Sequence, residues 1–122
     1  MGQTQRNDGP VATALVVEDD PLVRLVVCSA LEDLGLAVVE ADDGLAGLVV
    51  LRDNAAIDLV VTDLTMPNMD GATMIAQARE LRPDLKVLAT SGRESAPPGE
   101  AFLQKPYRAS LLQAKVIQLL NL

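Results

Sequence analysis

Three short apolar runs in this chain each end in charge. Leu15-Val16-Val17 runs into Glu18-Asp19-Asp20, the stretch from Ile57 to Thr62 runs into Asp63, and Phe102-Leu103-Gln104 runs into Lys105-Pro106. A buried strand that carries a charged side chain to its C-terminal end and then turns sharply is how an open α/β sheet presents reactive groups. Asp63, followed at once by Leu64-Thr65-Met66-Pro67-Asn68-Met69-Asp70-Gly71, is the first candidate for chemistry.

Helical patterns separate these runs. Pro21 suits a first helical turn, with Leu22, Leu25, Val26, Ser29 and Ala30 as an apolar stripe that stops at Gly35. Leu36 to Val39 reads as a second strand, and Asp43-Gly44 opens a helix carrying Leu45, Leu48, Val49 and Arg52. Leu59 to Thr62 is the third strand. Asp70 caps a helix with Met74, Ile75, Ala78 and Leu81 in one stripe, ended by Arg82-Pro83. Val87 to Thr90 and Ala101 to Gln104 are further strands. Leu111, Leu112, Lys115, Val116, Leu119 and Leu120 form a closing amphipathic helix.

Strands alternating with helices imply parallel pairing through right-handed crossovers, and continuous apolar strands imply helices on both faces. The expected fold is α/β, a flavodoxin-like doubly wound five-stranded parallel sheet of order 2-1-3-4-5, with its ligand crevice between strands one and three. Those are the strands that end in Glu18-Asp19 and in Asp63. The first residues lack apolar periodicity, so 1–11 reads as a flexible tail and 12–122 as one domain.

Composition excludes several functions. A chain of 122 residues with 49% hydrophobic content can bury a core, yet its aromatics are only Phe102 and Tyr107, too few for a stacking platform. A net charge of −7 without a basic cluster argues against direct nucleic-acid binding. No apolar stretch approaches the roughly 20 residues of a membrane span, and no signal-peptide pattern is present, so a cytoplasmic protein is expected. Cys28 reads as a small core residue. The absence of histidine removes Ser-His-Asp and Cys-His triads and imidazole zinc sites.

Carboxylates at adjacent strand ends need a cation, because two unit charges about 4 Å apart repel by roughly 4 kcal/mol at an effective dielectric near 20. An all-oxygen site with few protein ligands suits Mg²⁺. Lys105 brings an ammonium to the same edge, and Ser91 a hydroxyl. Carboxylate nucleophile, metal, lysine and hydroxyl together make a phosphoryl-transfer site in which the aspartate becomes an acyl phosphate.

From residue 12 to 120 the chain resembles the receiver domain of two-component response regulators. The likeness is carried by Val-Val-Glu18-Asp19-Asp20, by Asp63-x-x-Met66-Pro67-x-Met69-Asp70-Gly71, by Ser91 after strand four and by Lys105-Pro106 after strand five. The resemblance implies that Asp63 accepts a phosphoryl group from a partner phosphohistidine, on a histidine kinase or a histidine phosphotransfer protein. It implies Asp19 as a direct Mg²⁺ ligand, Glu18 as holder of a metal-bound water, and Thr65 as a ligand through its backbone carbonyl. Lys105 would bind the phosphoryl group, with a cis Lys-Pro bond aiming it, while Ser91 and Phe102 would form the switch that alters contacts with a downstream protein. Such a domain promotes only its own phosphorylation and dephosphorylation and is not otherwise an enzyme.

Structural roles compete for some of these residues. Asp20 reads as a cap rather than a ligand, and Asp42, Asp43, Asp58 and Asp70 as turn and cap residues. Two other functions are open: a pseudo-receiver that binds partners without phosphorylation, and a phosphatase of the haloacid dehalogenase type, for which Thr65 stands where a second aspartate is needed. One segment departs from the receiver pattern. The stretch 92–100, with two prolines, two glycines and no large apolar residue, cannot bury a helical face, so the fourth helix is expected to be degenerate, a loop or at most one turn. A single-domain regulator and a receiver from a hybrid histidine kinase both fit.

Overall fold

The apolar runs form the strands of one parallel sheet in the computed structural model, in which residues 9–93, 95 and 97–122 are described. The elements run β1 (Thr13–Val17), α1 (Pro21–Glu32), β2 (Ala37–Ala41), α2 (Gly44–Asp53), β3 (Leu59–Asp63), α3 (Gly71–Leu81), β4 (Lys86–Ser91), β5 (Ala101–Gln104) and α4 (Ala109–Leu120). All pairings are parallel, and the five strands stand in the order β2-β1-β3-β4-β5, the expected 2-1-3-4-5. The N-terminal tail expected over 1–11 falls for residues 1–8 outside the described part.

Burial on both faces explains why the strands are continuously apolar. One cluster joins Ala14, Val16, Leu59, Val61 and Leu88 of the sheet to Val27, Cys28 and Leu31 of α1 and to Leu112 and Val116 of α4. The other joins Leu15, Val17, Val60, Val87 and Ala89 to Leu51 of α2 and to Met74, Ile75 and Ala78 of α3. Successive strand residues point to opposite faces, so each strand feeds both clusters.

The starts of α1, α2 and α3 are fixed by carboxylates, while α4 follows Arg108 without a side-chain cap. Asp20 accepts from the Leu22 and Val23 amides, Asp43 from Ala46 and Asp70 from Thr73, each satisfying amides that the first helical turn leaves open. Asp58 instead accepts from the Thr13 amide and ties the entry of β3 to that of β1. Helix α1 ends at Glu32, earlier than the expected stop at Gly35, and Gly35 takes a φ of 89° in the turn that follows.

The expected stripes of α3 and α4 are buried at Met74, Ile75, Ala78, Leu112 and Val116, whereas the buried faces of α1 and α2 differ from expectation. In α1 the buried residues are Val27, Cys28, Ala30 and Leu31, whereas Leu22, Leu25 and Val26 are 73%, 64% and 57% exposed. This helix is apolar around most of its circumference, so spacing alone fits two faces. In α2 the core side is Gly44, Gly47 and Leu51, with Leu45 and Val49 exposed. A Cβ on Gly47 would lie 3.0 Å from Val17 Cγ2 and 3.1 Å from Met74 Cε, so the missing side chain is what lets α2 approach the sheet. Leu81 and Leu111, expected in apolar stripes, are also exposed.

Between β4 and β5 the described residues of 92–100 include no helix, in line with the expected degenerate fourth helix. An ion pair anchors the far end of this connection: Arg79 Nη2 on α3 donates to Glu100 Oε1 at 2.8 Å. Among the described residues no helix is long and apolar enough to cross a membrane.

Candidate functional site

Strand register brings the charged residues together. Val17 of β1 pairs with Thr62 of β3, so Glu18 and Asp63 follow side by side at the C-terminal edge of the sheet. Ser91 of β4 pairs with Gln104 of β5, which sets Lys105 next along the same edge. The Lys105–Pro106 peptide bond is cis.

Glu18, Asp19 and Asp63 each offer a carboxylate oxygen, and the three oxygens lie within 4.8 Å of one another. Glu18 and Asp63 are buried and Asp19 is exposed. Lys105 Nζ donates to Glu18 Oε1 at 2.9 Å and to Asp63 Oδ2 at 3.2 Å. Burial pushes the Glu18 carboxyl above the ordinary carboxylate value despite the pull of the Lys105 ammonium. Burial would draw the Lys105 ammonium down, but the bonds to Glu18 and Asp63 outweigh it and hold Lys105 above its ordinary value.

The second oxygen of Asp63 is held from the following turn, where the Thr65 amide donates to Oδ1 at 3.2 Å. That turn is tight because Gly71 sits against its start. A Cβ on Gly71 would lie 2.5 Å from both the Asp63 carbonyl oxygen and Leu64 Cα, and the Gly71 amide donates to the Leu64 carbonyl at 2.9 Å. Ser91 is fully buried, and its hydroxyl accepts the Arg93 amide at 3.1 Å. Phe102 is half-buried and packs against the cluster beneath α2 and α3.

Glu18, Asp19, Asp63, Thr65, Arg93 and Lys105 all line one open cavity of about 310 Å³. Its donor set fits a small hard cation. Three carboxylate oxygens within 4.8 Å of one another could hold such an ion, and an all-oxygen set of this kind suits Mg²⁺. Asp20 turns its carboxylate to the α1 amides instead, and Asp43 and Asp70 cap helices away from the cluster.

Sequence reasoning did not single out Arg24, Arg93 or the packing role of Gly71. Arg24 on α1 donates from Nη1 to the Glu18 carbonyl at 2.7 Å and from Nε to Glu40 Oε1 at 3.0 Å. It is the one basic residue between positions 12 and 51, a signal visible in the sequence.

Residues 14–117 match the family model described as response regulator receiver domain. The chain is 35% identical over 119 residues to the sensor kinase CckA of Brucella abortus, an alignment covering 90% of this chain and 13% of that kinase. It is 33% identical to the response regulator receiver protein CpdR of the same species, covering 76% of this chain and 83% of the relative. Among solved structures, the receiver domain of the hybrid histidine kinase CckA superposes with a TM-score of 0.81 at 36% identity, over 89% of this chain and 99% of that one. A receiver protein from Sinorhizobium medicae does so with a TM-score of 0.84 at 32% identity, over 90% and 94% of the two chains. With the family model reaching from β1 into α4 and taking in the acidic edge, the chain belongs to the response regulator receiver domain family.

Proposed function

We propose that this domain is a Mg²⁺-dependent phosphoacceptor switch, phosphorylated on Asp63 by a partner phosphohistidine and signalling through altered protein contacts. The observation that carries the reading is the meeting of Asp63 with Glu18, Asp19 and Lys105 at one sheet edge, with Lys105 Nζ 3.2 Å from the Asp63 carboxylate.

An Asp63 oxygen forms a bond to phosphorus as the phosphorus–nitrogen bond of the donor imidazole breaks, and the imidazole leaves with the bonding electron pair. Asp19, Asp63 and the Thr65 carbonyl would hold Mg²⁺ directly, with Glu18 holding one of its waters. When bound, the ion neutralises charge on the phosphoryl oxygens. Lys105 supplies a point charge to another of those oxygens, and Thr65 N–H keeps the carboxylate facing the cavity. Ser91 then exchanges the Arg93 amide for the phosphoryl group, and Phe102, in register with Ala89 two residues before Ser91, adjusts with it. The domain promotes only its own phosphorylation and dephosphorylation.

The donor's approach is served by α1. Leu22, Leu25 and Val26 are exposed, and an apolar cavity of about 510 Å³ walled by Val23, Val26, Val27, Pro106 and Tyr107 opens beside Lys105. Such a surface fits the apolar side of a helical kinase or phosphotransfer partner. A downstream protein would read the opposite face.

Incubation with acetyl phosphate and Mg²⁺, followed by intact mass, tests the reading. One acid-stable, base-labile phosphoryl group is expected on the wild type and none on Asp63→Asn. Full labelling of Asp63→Asn overturns the assignment, and an unlabelled wild type that still binds its partner points to a pseudo-receiver.

A further inference from the structure

We propose that Arg24 is a positioning residue for the metal-binding strand end, a role that rests on the Mg²⁺ reading above. The β1–β2 ladder ends at Val17 and Ala41, and beyond it the chain must present Asp19 without a strand partner. Asp19 is itself exposed, so no core packing fixes its direction. Its orientation must come from the peptides on either side.

Those two peptides and the one before them are each held at one point. The Glu18 amide donates to the Ala41 carbonyl at 3.1 Å. The Glu18 carbonyl accepts the Arg24 guanidinium at 2.7 Å, and the Asp20 amide donates back to Glu18 Oε2 at 3.2 Å. Of these partners only Arg24 comes from a side chain outside the acidic run. The Arg24 side chain is 21% exposed, and its guanidinium is fixed in turn by Glu40 on β2 through Nε at 3.0 Å. A planar guanidinium can serve two acceptors in fixed directions, which an ammonium cannot reproduce. The Glu18–Asp19 peptide plane is thereby locked to both α1 and the edge strand, and groups that orient metal ligands commonly change affinity by 10–100-fold when removed.

Charge and position give opposite signs, which makes the role testable. If Arg24 mattered only as a positive charge near carboxylates, its removal would strengthen Mg²⁺ binding. If it orients Asp19, removal weakens it.

The experiment is a titration of the full chain with Mg²⁺ alone, followed by backbone amide shifts, with thermal melting in a chelator as a control on folding. Arg24→Gln is expected to raise the dissociation constant about tenfold. Arg24→Lys, which keeps the charge, is expected to weaken binding as well, and Glu40→Ala to fall between it and the wild type. Equal or tighter binding by Arg24→Gln overturns the inference, and if that variant does not fold, Arg24→Lys decides by the same criterion. A wild type that binds no Mg²⁺ overturns the metal reading and this inference together, whereas a binding wild type with an unaffected Arg24→Gln overturns this inference alone.

Discussion

Lys105 and Glu18 are joined across the acceptor cavity, with Nζ 2.9 Å from Oε1, although 87 residues separate them in the chain. The lysine therefore has two tasks, neutralising a buried glutamate and facing Asp63. Lys105→Ala is expected to slow phosphorylation by acetyl phosphate about 10²-fold, as loss of one fixed charge donor does elsewhere. It is also expected to lower stability at neutral pH by about 1–3 kcal/mol, because Glu18 keeps its burial and loses its cation. Urea melts of Lys105→Ala and of the Lys105→Ala/Glu18→Gln double variant check this. Failure of the second change to restore stability would show that the lysine acts by packing.

Mutual repulsion of Glu18, Asp19 and Asp63 is expected to destabilise the metal-free protein. Mg²⁺ is expected to raise the melting temperature of the wild type, at ten times its dissociation constant by about 1.4 kcal/mol of stability. Asp19→Asn is expected to melt higher than the wild type in a chelator and to lose most of the Mg²⁺ response. An undiminished response in that variant would put the ion elsewhere.

Ser91 accepts the Arg93 amide at the start of the 92–100 connection, and Arg79 pins Glu100 at its end. Turning the Ser91 hydroxyl toward a phosphoryl group held by Lys105 replaces the first restraint with a contact to that group and leaves the second. With a beryllofluoride phosphoryl mimic, the Arg93 amide is expected to shift strongly and the Glu100 amide little. Relaxation of the Gly92, Arg93 and Gly99 amides should show increased order in the same sample. Equal mobility with and without the mimic would refute this switch.

Burial pushes the Cys28 thiol from 9.0 up to about 11. The folded state thus favours the protonated thiol, a contribution fully present below pH 9.0 and lost as pH rises through about 11. At pH 8 the native protein holds about a hundredfold less thiolate than the unfolded chain, since each pKa unit is tenfold. Alkylation by iodoacetamide should accordingly be at least that much slower in buffer than in urea. Equal rates would mean that the α1–sheet contact opens readily.

The sheet was legible in the sequence because parallel strands buried on both faces leave continuous apolar runs, and strand ends are where charge interrupts them. Asp63, Glu18, Asp19 and Lys105 could be placed at one edge for the same reason. The faces of α3 and α4 were legible through Met74, Ile75, Ala78, Leu112 and Val116, but those of α1 and α2 were not. Helix α1 has apolar residues on several sides, and the core side of α2 is marked by Gly44 and Gly47, which carry no hydrophobic signal. Gly71 was visible as part of a motif, but its purpose depends on what a Cβ would strike. Arg24 reaches Glu18 and Glu40 across two elements, a contact that no local spacing encodes.

The separation of the core into two clusters bears on how such a domain can be rewired. Helix α1 and its apolar groove stand over one face of the sheet, and Phe102, α2 and α3 over the other. In the proposed reading the donor consults the first face and the listener the second, and the two meet through the sheet between them and its acidic edge. Recognition of the two partners can then be redesigned separately: side chains over one face can be exchanged to change who writes the signal without changing who reads it.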